Sequence, residues 1–124
     1  MIASGAEARL IEAEAALAAA NINAFVTKLN SLRSAAGLGP VADPGTAAGR
    51  VDLLFNERAF WMFATGTRLG DLRRMIAFCS RSSASLFPTG AYPIFGGSYG
   101  TDANLPVPAF ARGSAFNGCT NRTS

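Results

Sequence analysis

The sequence contains no histidine, the side chain that most often serves as a general base or as a metal ligand. Ser-His-Asp and Cys-His catalytic sites are therefore excluded. Charged residues make up only 15% of the 124 positions, with 11 basic side chains against 8 acidic ones. A net charge of +3 scattered along the chain is too weak for a nucleic-acid-binding stripe, so we expect no nucleic-acid partner.

Cysteine is also scarce, since Cys79 and Cys119 are the only two. They lack the paired spacing of a zinc site or of a redox CxxC motif, so we expect no metal and no redox centre. They are either free thiols or the two halves of one disulfide. The Gly/Asn-rich tail around Cys119 favours the disulfide, which in the chain-entropy account would stabilise the fold by roughly 4 kcal/mol.

Long apolar runs are missing, and no segment has the length needed to span a membrane. Residues 1–17 lack the basic start of a secretory signal, and charged side chains interrupt their apolar stretch. They are typical of an amphipathic helix that has already begun. We therefore expect the chain to be a fragment of a larger protein whose beginning lies elsewhere.

Apolar residues at three- and four-residue steps predict four helices, over about residues 3–20, 22–36, 47–65 and 67–78. The short link between the first two predicts an antiparallel helical hairpin. Asn21 is the expected cap of the second helix, Gly37 its expected end, and Gly66 a break or a kink between the third and the fourth. The expected apolar faces include Leu10, Ile11 and Leu17, then Phe25 and Leu29, then Leu54, Phe55 and Met62, with Trp61 and Phe63 widening the face of the third helix.

The composition changes near residue 80. Residues 1–80 are predicted to form a helical scaffold, and residues 81–124, rich in glycine, proline and aromatics, a long irregular docking tail within the same domain. Tyr92, Phe95 and Tyr99 are candidate ligand-binding or docking aromatics. The alternative, which we favour, is that the aromatic side chains of this segment fill gaps over the helices.

The segment ERAFWMFATGTRLGDLRR, residues 57–74, contains the densest group of charges. Its carboxylates lie among arginines, which favours permanently ionised structural groups over a catalytic acid. We expect an ion-pair cluster that pins two helices, with Glu57 reaching an arginine beyond Gly66; direct ligand contact is the alternative. The cluster consists of Glu57, Arg58, Arg68, Asp71, Arg73 and Arg74. GTRLGD lacks the preceding strand of a phosphate-binding loop, so no cofactor and no enzymatic activity are expected.

Three phrases together resemble a known family: EARLIEAEAALA, then LNSLRSAAGLGPV, then ERAFWMFATGTRLGDLRR. In this order they are similar to the C-terminal helical part of SusD/RagB-like proteins, the nutrient-binding outer-membrane lipoproteins of Bacteroidetes and related bacteria. The tail, with FPTG and YGTDANLPVP, resembles the closing loop of that family. The chain departs from the family pattern at Trp61, Thr65, Leu69 and Gly70.

The resemblance implies a non-catalytic protein whose helices are similar to tetratricopeptide repeats. In the family, the protein captures oligosaccharides or peptides at the cell surface and passes them to a TonB-dependent outer-membrane transporter. Its charged motif holds the scaffold together, while the ligand-binding loops and the lipid anchor would lie upstream of this chain. A surface location would also suit a disulfide between Cys79 and Cys119.

Two functions of a different class from nutrient binding remain open. The chain could be a small helical adaptor that binds another protein through its alanine-lined groove, or a structural subunit docked in a larger assembly. Redox state separates the first of these from the surface protein. A cytosolic adaptor is expected to keep both thiols reduced.

Overall fold

A computed structural model of the chain describes residues 4–94 and 96–100. This part of the chain is mainly helical, which confirms the predicted mainly helical class. The described helices are α1 (Gly5–Ala18), α2 (Ile22–Ala35), α3 (Ala47–Trp61), α4 (Arg68–Cys79) and α5 (Ser83–Leu86). Each of the first four begins and ends within a few residues of its predicted position.

The chain divides into two compact units, Met1–Arg68 and Leu69–Ser124. The division falls in the first turn of α4, whereas the boundary drawn from the sequence near residue 80 follows the change in composition. The two differ because composition marks where helix-forming residues become rare, while compact units are defined by which residues pack together.

The three long helices of the first unit each start at a side-chain cap. The Ser4 hydroxyl accepts a hydrogen bond from the Glu7 amide at 3.1 Å, and the Thr46 hydroxyl accepts one from the Gly49 amide at 3.0 Å. Asn21, the predicted cap, accepts one from the Ala24 amide at 3.1 Å. These oxygens satisfy amide groups that have no partner within the first turn of a helix.

The first two helices end in the same hydrogen-bonded turn. After α2, the amides of Gly37 and Leu38 donate to the carbonyls of Ser34 and Arg33, with Gly37 at a φ of +71°. This is the Schellman arrangement that glycine favours, and it confirms the predicted end of α2. After α1 the equivalent residue is Ala20, which adopts a φ of +56° in spite of its Cβ.

The core of the first unit is formed by apolar residues one helical turn apart. α1 packs against both α2 and α3. Ile11 is 55% exposed, so its predicted place on the buried face of α1 is wrong, and Leu10 with Ala13 forms that face instead. The buried apolar residues of this unit are Leu10, Ala13, Phe25, Leu29, Leu54, Phe55 and Met62.

α3 ends at Trp61, earlier than the sequence predicts. Phe63 lies beyond this end and is 83% exposed, so its predicted place on the apolar surface of the helix is wrong. Ala64 and Gly66 both take positive φ, at 60° and 81°, so the chain turns before α4 begins at Arg68. The two helices are therefore separate, and α3 has already ended before Gly66. The apolar residues after Trp61 continue the helical pattern past the end of α3. The pattern of apolar residues does not show where the backbone turns, so the predicted helix was too long.

The second unit contains most of α4, the short helix α5 and a tight hairpin. Asp71 and Met75, one turn apart on α4, are both buried. In the hairpin, Ala91 and Ser98 form an antiparallel bridge. The segment predicted as irregular thus has one helical turn and one strand-like pair among its described residues.

Candidate functional site

A connected set of side-chain hydrogen bonds surrounds the loop that joins α2 to α3. Asn30, on α2, holds this loop with two hydrogen bonds to the backbone of Val41. Its side-chain oxygen accepts from the Val41 amide at 2.8 Å, and its side-chain nitrogen donates to the Val41 carbonyl at 3.0 Å. The amide of Asn30 thereby pairs with Val41 as a second peptide strand would.

Arg33, one turn further along α2, extends the same network. Its Nε donates to the Gly39 carbonyl at 2.6 Å, and its Nη1 donates to Oε1 of Glu57 at 2.7 Å. A single planar guanidinium therefore fixes the loop and α3 together. The two contacts use different nitrogens of the planar fork, Nε and Nη1, whereas the three donors of a lysine all lie on one nitrogen.

Glu57 is 4% exposed, and each of its carboxylate oxygens has a donor. Oε1 accepts from Arg33, and Oε2 accepts from the indole nitrogen of Trp61 at 3.0 Å. Trp61 lies one helical turn after Glu57, so the last turn of α3 supplies one of the two donors. The burial of this charge is tolerated because it is paired and hydrogen-bonded.

A second ion pair secures the far end of the loop. Asp43 receives two hydrogen bonds from Arg50 on α3, both at 2.7 Å, and a third from the Gly45 amide at 3.1 Å. The Arg50 guanidinium, followed by the Gly45 amide, lowers the pKa of Asp43 below its ordinary value. The loop is thus anchored by Asn30, Arg33 and Arg50.

An open cleft of about 450 Å³ lies beside the Arg33–Glu57 pair. Its polar end is formed by that pair, and the remainder of its lining is mostly apolar. Phe60 on its rim is 78% exposed. The residues that line this cleft, called the Trp61 cleft below, are Arg33, Ala36, Leu38, Glu57, Phe60 and Trp61.

The six residues of the predicted ion-pair cluster are distributed over both units, with Glu57, Arg58 and Arg68 in the first. Glu57 pairs with Arg33, and not with an arginine beyond Gly66 as the sequence predicts. The partner differs because the packing of α2 brings its last turn to α3, which local spacing does not report. Arg58, buried on α3, lies 4.0 Å from the Glu14 carboxylate on α1. Arg68 donates to the Phe55 carbonyl at 3.4 Å.

The other three residues of the cluster, Asp71, Arg73 and Arg74, belong to the second unit. Arg74 lies 3.3 Å from the buried Asp71, a pair that the three-residue spacing predicts. Arg73 is exposed. The charged segment therefore supplies several separate contacts within the described units.

The candidate aromatics Tyr92 and Tyr99 contact each other edge to face, with ring centroids 5.0 Å apart. The Tyr92 amide donates to the Gly97 carbonyl and the Tyr99 amide to the Gly90 carbonyl, both at 2.9 Å. Phe95 lies outside the described residues. The contact between the two rings is typical of a cross-strand pair that stabilises a hairpin. Their role in ligand binding stays a prediction.

Cys79, the last residue of α4, forms no disulfide with any residue that the structure describes. Cys119 lies outside the described residues, so the pairing of the two cysteines stays a prediction. No group of three or more potential metal ligands occurs within residues 4–94 and 96–100. None of the described helices has the length and apolarity required to cross a bilayer.

Asn30, Arg33 and Val41 were not singled out as functional residues from the sequence, although all three lie in the phrase LNSLRSAAGLGPV. The available signal was the three-residue spacing of Asn30 and Arg33, immediately before a helix-ending glycine. Two long polar side chains there can reach the carbonyls and amides of the chain that follows.

Comparison with known proteins yields no match. No family model, no curated protein and no solved structure is significantly similar to this chain.

Proposed function

We propose that the chain is a non-catalytic helical scaffold of a SusD/RagB-like nutrient-binding protein. The whole protein would bind an oligosaccharide or a peptide at the surface of the bacterial outer membrane. It would work with a TonB-dependent transporter, and its lipid anchor and main ligand-binding loops would belong to other parts of the same protein.

The observation that carries this proposal is the contact between two of the phrases on which the resemblance rests. Asn30, Arg33 and Gly37 come from LNSLRSAAGLGPV, and Glu57 comes from the phrase that follows it. Arg33 joins the two phrases through the buried Glu57 carboxylate. Residues that define a scaffold motif are expected to hold its helices together, as the contact between Arg33 and Glu57 does. This contact supports a structural role for the phrases that resemble the family.

The arrangement of the helices is the second support. α1 and α2 form a hairpin, and α1 also packs against α3. In an array of stacked helical repeats each repeat packs against its neighbours, so contact between one hairpin and the next helix along is expected. We propose that α1–α3 form such an array in the whole protein.

A pull-down from native membranes tests the proposal. An antibody raised against this chain should recover, from detergent-solubilised outer membranes, a lipid-modified protein much heavier than 12.8 kDa together with a large transporter. Recovery of a 12.8 kDa species from the soluble fraction, with no transporter, would refute it.

A second candidate function is that of a small helical adaptor, which the exposed Phe60 ring beside the Trp61 cleft favours. Exposed aromatic side chains next to an apolar recess are typical of protein-binding surfaces. Thiol state distinguishes the two candidates. Trapping with a maleimide in intact cells should label both cysteines of a cytosolic adaptor and neither cysteine of a disulfide-bonded surface protein.

A further inference from the structure

The Trp61 cleft has an apolar wall that is unusually open to solvent. Phe60 is 78% exposed and Leu38 is 50% exposed, although both are large apolar side chains. Ala36 and the partly buried Trp61 complete the wall. The cleft volume of about 450 Å³ lies within the range of small-ligand and peptide-anchor sites.

The polar end of the cleft offers hydrogen-bond donors. The guanidinium of Arg33 has five N–H groups, and Gly39 and Glu57 each take one of them. Three N–H groups therefore remain without a partner among the described residues, on a side chain that is 22% exposed and lines the cleft. A ligand that enters the cleft can accept from them.

The charge at this end is balanced, and this restricts what can bind. Arg33 is paired with Glu57 at 2.7 Å, so the two side chains together present no net charge. An anionic ligand that approached Arg33 would also approach the Glu57 carboxylate and be repelled by it. A carbonyl oxygen, which accepts hydrogen bonds without a full charge, avoids that repulsion.

We infer that the Trp61 cleft binds a neutral, extended peptide segment of a partner protein. A bulky aliphatic side chain of this segment lies against Phe60 and Trp61, and a backbone carbonyl oxygen accepts from Arg33. An oligosaccharide fits less well, because its many hydroxyl groups need several polar partners and the cleft supplies donors at one end only. The inference rests on the cleft alone and does not depend on the proposed function.

Trp61 is the single tryptophan of the chain, so its fluorescence and its indole N–H resonance report directly on the cleft. The full chain is titrated with the blocked tripeptide acetyl-alanyl-leucyl-alanine amide. Saturable changes are expected in both signals, with a Kd on the order of millimolar, as for small ligands of this size. The matched peptide with aspartyl in place of leucyl should bind about tenfold more weakly or not at all.

Two variants locate the binding. Phe60→Ala should weaken binding of the leucyl peptide by roughly tenfold, because it removes the exposed wall of the cleft. Ala36→Leu should abolish binding by filling the cleft. Phe78→Ala is the matched control, since Phe78 is 83% exposed in the other unit and should leave the titration unchanged. Urea unfolding of each variant shows that the fold is intact before binding is compared.

Several results would overturn the inference. These are equal binding of the aspartyl and leucyl peptides, an unchanged Kd for Phe60→Ala, or no saturable change in either Trp61 signal up to roughly 50 mM leucyl peptide. Tighter binding of maltotriose than of the leucyl peptide would reassign the cleft to carbohydrate. None of these outcomes bears on whether the chain belongs to a transporter complex, which the membrane pull-down decides separately.

Discussion

Arg33 on α2 donates to the buried carboxylate of Glu57 on α3 at 2.7 Å, across 24 positions of sequence. The same guanidinium donates to the Gly39 carbonyl at 2.6 Å, so one side chain holds two helices and the loop between them. Glu57 is thereby provided with a partner at a position where it is 4% exposed.

Removal of the Arg33 side chain is expected to lower the free energy of unfolding. Arg33→Leu leaves the Glu57 carboxylate buried with the Trp61 indole as its remaining donor, and should lower the free energy of unfolding by about 2–4 kcal/mol. Arg33→Lys restores a positive charge without the fork, and should fall between the wild type and the leucine variant. Equilibrium urea unfolding measures all three. A loss below about 0.5 kcal/mol for the leucine variant would show that the pair does not stabilise the unit.

Asn30→Asp tests the hydrogen-bonded pair with Val41. The carboxylate can still accept from the Val41 amide, but it faces the Val41 carbonyl oxygen in place of a donor. We expect a loss of roughly 1–3 kcal/mol in the free energy of unfolding. The Val41 amide should also exchange faster with solvent.

The control for this variant is Asn23→Asp, on an exposed position of the same helix. It introduces the same charge without touching the loop, and its proximity to the start of α2 favours a negative charge if anything. Equal losses for the two variants would mean that the charge, and not the contact with Val41, is responsible.

Ala20→Gly should stabilise the protein. Ala20 holds a φ of +56° in the turn that ends α1, a conformation that glycine adopts without the steric cost of a Cβ. The expected gain in the free energy of unfolding is roughly 0.5–1 kcal/mol. Ala15→Gly, on an exposed position inside α1, should lower it by a similar amount. Thermal and urea unfolding should therefore give opposite signs for two chemically identical changes five positions apart.

The pair of Asp43 and Arg50 should make stability depend on pH. The guanidinium and the Gly45 amide lower the pKa of Asp43 in the folded state, so the pair stabilises the fold above the ordinary aspartate pKa of about 4. This contribution is lost as the pH falls through the lowered value. The difference in unfolding free energy between the wild type and Asp43→Asn should therefore shrink between pH 6 and pH 2, a range of about four units around that pKa.

Arg50→Gln is the companion variant. It removes the first cause of the lowered pKa and should flatten the pH dependence in the same range. Added salt should weaken the effect, since the pair is solvent-exposed. A wild-type-minus-variant difference that does not change with pH would contradict this account.

Helix positions could be predicted from the sequence because their causes are local. Phe25 and Leu29 are one turn apart, and both are fully buried. Asn21 caps α2 and Gly37 ends it, as the types of those residues indicate. Capping and termination depend on residues within a few positions of the helix end, so the sequence contains the information that specifies them.

The buried face of α1 and the end of α3 could not be predicted from local sequence. Leu10 and Ile11 are adjacent and equally apolar, yet Leu10 is buried and Ile11 is 55% exposed. Which of them faces the core depends on where α2 and α3 pack. The end of α3 at Trp61 was obscured by the aromatic residues that follow it, because hydrophobicity persists where the helix does not.

The candidate site shows the same division. Glu57 was predicted from the sequence to be an ionised, structural carboxylate, because arginines surround it. The other side chains that hold the loop, Asn30, Arg33 and Arg50, were not predicted. The sequence predicts the partner of Glu57 among the arginines beyond Gly66, which lie in the same charged segment. The pair is instead Arg33 with Glu57, since two helices that pack can join residues far apart along the chain.

The sequence by itself determined the mainly helical class, the approximate limits of four helices, and the residues that cap and end α2. These follow from backbone preferences and from hydrogen bonds over three or four residues. The tertiary structure decided which residues of α1 are buried, which arginine neutralises Glu57, and that an open apolar cleft forms beside that pair. Those features arise from the packing of separate helices, and local spacing does not specify that packing.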